Sequence, residues 1–485
     1  MRAAGCARRR PSSLVEQNRR HISNTVKDQW LFLRSQIRLI QRLLLNVSME
    51  SDIQEKYENS LHLMIAHGSE YASICFRVLD LEINKLTNLD GWNEWRKNES
   101  RKLKRIVRNR IHTLQNPKNC SSVPVLACNL TNPSGFASGA HDVLWCFIKA
   151  FKEKKRLVLH SSHWHYAAPG GWETLFKPLS DSCPSHSTTA ESTVNLKNDN
   201  KVRWLLRTLP EDLAPKMIFL YGNPLAWWYG QFLAYLMRPN LHLQLSIENL
   251  ESMINFSSPI VGVHVRRTDK VGTEAKSHDL EEYMEHVENY FLSLELETSQ
   301  IIQRRVFLAT DDPNVLTECS RKFPNYDCLY NPESASSASK VETRYNNVSL
   351  WNLVLDVFAL SKTDYIVCTF SSGMCRLAFE LKHAIDDKSV DVSRKAVSLD
   401  ILHHYAWVTP PARKAIYSHV PKSPREIPFE KGDVLIYKNE YSTVNAALKG
   451  KTANGFLRMI SNKNEILEGF VPAYKTRETF QLTTF

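Results

Sequence analysis

The densest run of side chains able to do chemistry is His264-Val-Arg-Arg-Thr-Asp-Lys-Val-Gly-Thr-Glu274, at the end of the apolar stretch Pro259-Ile-Val-Gly-Val-His-Val. It combines two guanidiniums and an ammonium, which stabilise an anion, with an imidazole and two carboxylates, which exchange protons. If the apolar stretch is a strand, alternation puts Gly262, His264 and Arg266 on one face and Val263, Val265 and Arg267 on the other. One face then offers a ring, a guanidinium and a glycine that lets a ligand come close. Forked hydrogen bonding from Arg266 suits phosphate, so a nucleotide diphosphate is a natural partner. Structural ion pairs between the two arginines and Asp269 fit the spacing equally well.

Two further segments sit where a strand should give way to a helix. Thr369-Phe-Ser-Ser-Gly373 could bind an anion with backbone N–H groups and hydroxyls, although helix capping explains Ser-Ser-Gly without a ligand. Asp311-Asp312 precedes Pro313, which places Asp312 at an N-cap and Pro313 in the first helical position; a divalent cation between the carboxylates ranks behind that. His160, His163 and His165 raise zinc, but no Cys or carboxylate joins them within five residues, which argues against a site. GxxxxGK[ST] and GxGxxG are missing, which argues against an NTPase or a dinucleotide enzyme.

Positioning such groups calls for strands ending at one edge, and the periodicity supplies them. Arg156–His160, 259–265, 305–309 and 364–369 read as strands, alternating with helices over 224–237, 279–296, from Asp312, 348–361 and 373–381. Asn223 and Pro224 form the helix start at 224, and Trp227 and Trp228 on it read as core. This β/α alternation predicts a doubly wound α/β architecture with a parallel sheet, whose C-terminal edge is where ligands bind. Before it, residues 18–111 read as two or three long helices joined near Gly68 and Gly91, with Leu33, Ile37, Ile40 and Leu44 on one face. After it, Pro421, Pro424 and Pro428 precede short strands near 431–437, 455–460 and 468–474, the pattern of a small β-barrel.

Composition narrows the class. The 485 residues are 43% hydrophobic and 23% charged, which excludes wholesale disorder and a multi-span membrane protein. Net charge is +11, but +9 of it lies in residues 1–110. The rest is nearly balanced, without the electrostatic footprint of a nucleic-acid binder. The run Arg101, Lys102, Lys104, Arg105, Arg108 and Arg110 reads as a solvated helix face. Ten cysteines, several in close pairs and without CxxC spacing, favour disulfides and an oxidising compartment. Sequons at Asn46, Asn98, Asn129, Asn255 and Asn347 agree with that compartment. The start, MRAAGCARRR, is followed by no apolar run of the kind that opens a signal peptide, an expectation that an upstream start would reconcile with the cysteines.

VGVHVRRTDKVGTEAKSHDLEEYMEHVE, FLATDDP, LDVFALSKTDYIVCTFSS and AAPGGWETLFKPLSDSC together resemble the α-1,6-fucosyltransferase family, which fucosylates the core of N-glycans. The likeness runs from about residue 20 nearly to the end. It implies a GT-B-like glycosyltransferase: a helical stem and dimerisation region over 1–117, an α/β catalytic subdomain over 118–258, and a Rossmann-type GDP-fucose subdomain over 259–420. A Src-homology-3-like barrel over 427–482 is implied by EIPFEKGD and GFVPAYKTRE. The implied reaction moves L-fucose from GDP-fucose to the 6-hydroxyl of the innermost Asn-linked N-acetylglucosamine, with inversion and without a metal or other cofactor. Implied partners are an N-glycoprotein acceptor with terminal N-acetylglucosamine and a second copy bound through the stem, in the Golgi lumen, where the family carries a type II membrane anchor.

By the same resemblance Glu274 is the general base, Lys270 assists it, and Arg266 stabilises the departing pyrophosphate. His264, Tyr166 and Asp356 would hold the guanine nucleotide, Ser371 and Ser372 would face the phosphates with Arg267 beside the donor, and Asp269, Tyr283, Asp311 and Asp312 would support them. Implied disulfides are Cys120–Cys183, Cys128–Cys146 and Cys368–Cys375. The chain departs from the family at Asn132 (a lysine there), at Gly373 (a glutamine), at Ala140-His141-Asp142 (Leu-His-His), at a missing cysteine pair around residues 132–138, and at Ala453 (a tryptophan). Lys449-Gly-Lys-Thr replaces the acidic loop of peptide-binding modules, so the barrel is expected to present the glycoprotein acceptor. These departures motivate two alternatives: a catalytically weak paralogue serving as glycoprotein-binding or oligomerisation partner, and a fucosyltransferase acting on chitin oligosaccharides.

Overall fold

The computed structural model describes residues 11–45, 52–131, 133–183, 204–268, 277–334, 345–401, 403, 412–437, 456–461 and 467–485. Asn132, Asp269, Lys270, Glu274, Lys449 and Ala453 lie outside them.

Three helices form the stem: α1 (Ser13–Leu45), α2 (Asp52–Leu89) and α3 (Asn93–Gln115). The α2–α3 joint falls at Gly91, whose φ of +72° is left-handed backbone that favours glycine. Gly68, expected at a second joint, instead lies inside α2. One glycine costs a helix about 1 kcal/mol, less than the packing an interrupted α2 would lose. α1 packs along α2 with Trp30 stacked on Phe76 at 4.7 Å.

The face of α1 pressed onto the rest of the chain is not the apolar one. Leu33 and Ile40 are exposed, whereas Glu16, Ser23, Trp30 and Arg34 are buried. Arg20 donates to Ile218 O (2.7 Å) and Tyr221 O (2.8 Å), and Arg34 reaches the His286 ring at 2.8 Å. Likewise the basic run on α3 is only partly a solvated face. Lys104 is buried, donating to Ala384 O (3.2 Å) and Asp386 O (3.0 Å), and Arg108 donates to Ala384 O (2.9 Å). Both cations occupy the C-terminal end of a helix, where carbonyls lack partners and the dipole favours positive charge.

That helix, α11 (Gly373–Ile385), belongs to the central body, which is α/β as expected. Its first half carries β1 (Val125–Asn129) parallel to β2 (Arg156–His160), with α4 (Phe136–Lys152) between them. The short strand β3 (Thr208–Pro210), α5 (Ala214–Leu220), α6 (Pro224–Leu236) and α7 (Leu241–Met253) follow. Asn223 caps α6 by accepting from Ala226 N at 3.0 Å, and Trp227 and Trp228 are core. The second half is a five-stranded parallel sheet in the order β6-β5-β4-β7-β8. It comprises β4 (Val261–Val265), α8 (Leu280–Thr298), β5 (Arg304–Thr310), α9 (Asn314–Lys322), β6 (Tyr326–Tyr330), α10 (Asn347–Lys362), β7 (Tyr365–Cys368), α11 and β8 (Ala396–Ser398). The near-continuous apolar runs of β4 and β7 follow from burial on both faces.

The C-terminal stretch forms a five-stranded antiparallel sheet in the order β12-β11-β10-β9-β13, from β9 (Arg413–Ala415), β10 (Val434–Tyr437), β11 (Phe456–Ser461), β12 (Leu467–Pro472) and β13 (Thr476–Glu478). Strand β14 (Gln481–Thr483) then returns to pair in parallel with β3. Disulfides join Cys120–Cys183, Cys128–Cys146 and Cys368–Cys375, as the resemblance implied, and also Cys319–Cys328, which ties α9 to β6.

The two halves of the body meet where α6 crosses α11. Gly230 makes the crossing possible: a Cβ there would overlap the carbonyl oxygen of Glu380. Gly230→Ala must push two packed helices apart, and we expect it to lower unfolding free energy by about 2–3 kcal/mol, read as a lower urea midpoint at unchanged slope.

Candidate active site

The site is built on the C-terminal edge of the five-stranded sheet. There β4 delivers His264 and Arg266, β5 delivers Asp311, and β7 leads into Ser371 and Ser372 at the start of α11. Strand alternation splits the two arginines as expected. Arg266 Nη1 pairs with Asp311 Oδ2 at 3.0 Å, whereas Arg267 Nη1 donates to Glu318 on α9 at 2.5 Å. Asp311 also accepts from Arg267 N (2.9 Å), from Thr268 N (3.3 Å) and from the Thr268 hydroxyl. Its oxygens are thus occupied by protein donors. Asp312 Oδ1 accepts from Asn314 N at 3.0 Å, and α9 begins at Asn314, after Pro313 and not at it. Tyr283 is buried, and that burial pushes its hydroxyl pKa well up.

His264 is buried, and burial together with the Arg266 charge holds its pKa at about 4, so the ring is neutral at pH 7. Its Nδ1 has no hydrogen-bond partner among the described residues, and neither has the Ser371 hydroxyl. The Ser371 turn is held from behind: Arg376 Nη1 donates to Phe370 O at 2.5 Å, Ser398 Oγ accepts from Phe370 N at 2.9 Å, and Asp400 faces Ser371 N at 3.4 Å.

Along α10, Ser349, Asn352 and Asp356 recur at steps of three and four and are all buried, beside Asn331 and Ser334 beyond β6. Asp356 accepts from the Ser334 hydroxyl, and Asn331 Nδ2 donates to Asn352 at 3.3 Å. Burial lifts the Asp356 carboxyl to about 8, with the Ser334 bond pulling the other way. Ser349 Oγ, Asn352 Nδ2 and Asp356 Oδ1 all lack partners among the described residues. Buried polar atoms without partners are costly, and three on one helix face, with His264 Nδ1 and Ser371 Oγ at the same edge of the sheet, fit an edge that binds a polar ligand. Ser349 and Asn352 were missed from sequence, although helical spacing of polar residues in an apolar run was a usable signal.

Tyr166 comes from the other half of the body. Its ring lies 4.5 Å from His165 and 5.4 Å from Tyr345, at a cavity of about 440 Å³ that also includes Pro169, Thr174 and Asn346. Its hydroxyl accepts from Phe136 N at 3.3 Å, at the start of α4. An aromatic hollow of this kind suits a planar ring. Among the described residues no group of three or more His, Cys, Asp or Glu side chains is arranged to hold a metal ion.

The two helices that begin at this edge touch there: a Cβ on Gly373 would lie 3.1 Å from the Ala137 Cβ of α4. Behind that contact Glu380, fully buried on α11, accepts from His141 of α4 (2.8 Å) and from His403 (3.0 Å). Burial alone would push the Glu380 carboxyl up; the two histidines more than cancel this and hold it at about 2. The stabilisation is therefore complete above the ordinary carboxylate range and is lost as pH falls from about 4.5 towards 2. We expect Glu380→Gln to cost about 2–4 kcal/mol at pH 7. In acid titrations followed by circular dichroism, the variant should show a shallower loss of stability across that window.

Residues 2–403 match the family described as alpha-(1,6)-fucosyltransferase N- and catalytic domains. The chain is 34% identical over 483 residues to the alpha-(1,6)-fucosyltransferase of Drosophila melanogaster, covering 96% of this chain and 74% of that protein. It is 33% identical over 409 residues to the protein of that name in Caenorhabditis elegans, covering 81% and 70%. A crystal structure of NodZ alpha-1,6-fucosyltransferase with GDP is similar over 53% of this chain and 92% of that one, at 13% identity and a TM-score of 0.33.

Proposed function

The chain belongs to the alpha-(1,6)-fucosyltransferase family, and we propose that it transfers L-fucose from GDP-fucose to the 6-hydroxyl of the innermost N-acetylglucosamine of N-glycans. The observation that carries this reading is the set of buried polar atoms on the C-terminal sheet edge without partners among the described residues: His264 Nδ1, Ser371 Oγ and Asp356 Oδ1. Each suits a different part of a nucleoside diphosphate. The Asp356 carboxylate is a match for the N–H edge of guanine, the Tyr166 ring for its face, and Ser371, Ser372 and Arg266 for the phosphates.

In this mechanism the acceptor O6 attacks fucose C1 from the face opposite the nucleotide, the C1–O bond to the β-phosphate breaks, and GDP leaves with the electron pair. Glu274 takes the O6 proton, with Lys270 beside it. The negative charge that grows on the diphosphate meets Arg266, whose fork Asp311 pre-orients from behind. Asp269, Tyr283, Arg267 and Asp312 brace that arrangement. The protein works in the Golgi lumen as a dimer through its stem, where Leu63, Met64, Leu79 and Leu86 are exposed on α2. The small C-terminal sheet domain, Src-homology-3-like by resemblance, helps present the glycoprotein.

Incubation with GDP-fucose and an agalacto biantennary N-glycan should add one deoxyhexose to the reducing-end N-acetylglucosamine, read by mass spectrometry. Glu274→Gln and Arg266→Ala should each slow turnover by roughly 10²–10⁴-fold; near-normal rates in either variant reject its role. A second expectation concerns protons. With the free Asp356 carboxyl at about 8, most of it is protonated at pH 7, and guanine donors favour the ionised form. GDP binding should release a proton and tighten roughly tenfold for each unit that the pH rises towards 8. Calorimetry in buffers of different ionisation enthalpy measures this, and Asp356→Asn should abolish it.

A further inference from the structure

Of the five sequons, Asn46 lies outside the described residues, and the structure separates the other four. Asn98 is exposed on α3, but its Ser100 is buried and shares a hydrogen bond with the Tyr221 hydroxyl at 2.9 Å. Asn347 opens α10 on the rim of the cavity beside Tyr166, and its Ser349 is buried. Asn129 ends β1, at the mouth of the loop that leads into α4. A bulky glycan on either of the last two would stand at the site.

Asn255 differs on every count. It follows α7, is exposed, and holds a φ of +51° in a turn closed by Phe256 N donating to Glu251 O at 2.8 Å. Its side-chain amide has no protein partner among the described residues. Phe256 turns inward against Phe307, and Ser257 Oγ donates back to Asn255 O at 3.3 Å, which keeps the hydroxyl of the sequon beside its asparagine. The turn precedes β4, so it lies at the N-terminal edge of the sheet, across the body from His264 and Ser371.

We propose that Asn255 carries an N-linked glycan. This rests on the lumenal placement proposed above. The co-reactant is an oligosaccharide on a lipid pyrophosphate. Asn255 Nδ2 bonds to C1 of its reducing-end N-acetylglucosamine, the C1–O bond to the pyrophosphate breaks, the lipid pyrophosphate leaves with the electron pair, and the amide gives up one proton. The exposed turn then bears a large polar cover that leaves the catalytic edge open.

The test is the full chain expressed through the secretory pathway of cultured animal cells, with intact mass and peptide mapping before and after enzymatic release of N-glycans. We expect one glycan's mass on the Asn255 peptide, lost in Asn255→Gln and Ser257→Ala, retained in Ser257→Thr, with fucosyl transfer unchanged in all three. A bare Asn255 peptide in protein whose disulfides have formed overturns the proposal, as does a glycan that survives Ser257→Ala. Protein recovered with free thiols and no glycan overturns the lumenal placement and the proposal together.

Discussion

A carboxylate with no exposure joins the two halves of the catalytic body. Glu380 sits on α11, His141 on α4 of the first half, and His403 on the strand-exit segment after β8, and all three meet within hydrogen-bond distance. An ionised group so deeply buried is tolerable only with full pairing, so the geometry of the trio is tightly specified. Because α4 and α11 also touch at Ala137 and Gly373, the trio sets the spacing between the starts of these two helices. The Gly230 crossing, at the Glu380 carbonyl itself, packs α11 closely against α6 as well. Preorganisation at the sheet edge is thereby inherited from contacts that never meet a ligand.

The stem is attached by a different logic. α1 presents a polar stripe to the body: Arg20 ends on helix carbonyls, Arg34 on His286 and Glu285, and Gln17 on Arg477 of β13. Directional contacts of this kind fix register without consuming apolar surface, which leaves Leu33 and Ile40 exposed. Lys104 and Arg108 do the same for α3 at the end of α11. Orienting α11 from its C-terminus and from Glu380 at mid-helix places Ser372 and Gly373 at its start.

This division also explains what the sequence could disclose. Strands β2, β4, β5 and β7 and helix α6 were legible to within a few residues because two-sided burial and Asn-Pro capping are written locally. The polar face of α1 was not, since its partners lie some 200 to 460 residues away, and an apolar period drew attention to the wrong side. Lys104 looked solvated for the same reason. In the site, strand alternation alone separated Arg266 from Arg267. Ser349, Asn352 and Glu380 escaped because a polar residue in an apolar helix has meaning only once its long-range neighbour is known. Cys319–Cys328, nine residues apart, was hidden because α9 and β6 had first to fold back on each other.

Spacing left two readings of Arg266 level, and the structure shows it engaged in an ion pair with Asp311. A guanidinium has five donors, and Asp311 Oδ2 is matched with Nη1 while Asp311 is simultaneously held by Arg267 N and Thr268. A carboxylate fixed by its own backbone donors acts as an anchor. It orients Arg266, lowers the entropy lost when a ligand binds, and leaves the guanidinium partly exposed at the edge. His264 stays neutral because burial and the Arg266 charge outweigh the opposing field of Asp311. In the proposed reaction a neutral ring beside an anchored cation would meet the diphosphate as a hydrogen-bonding group, with charge neutralisation left to Arg266.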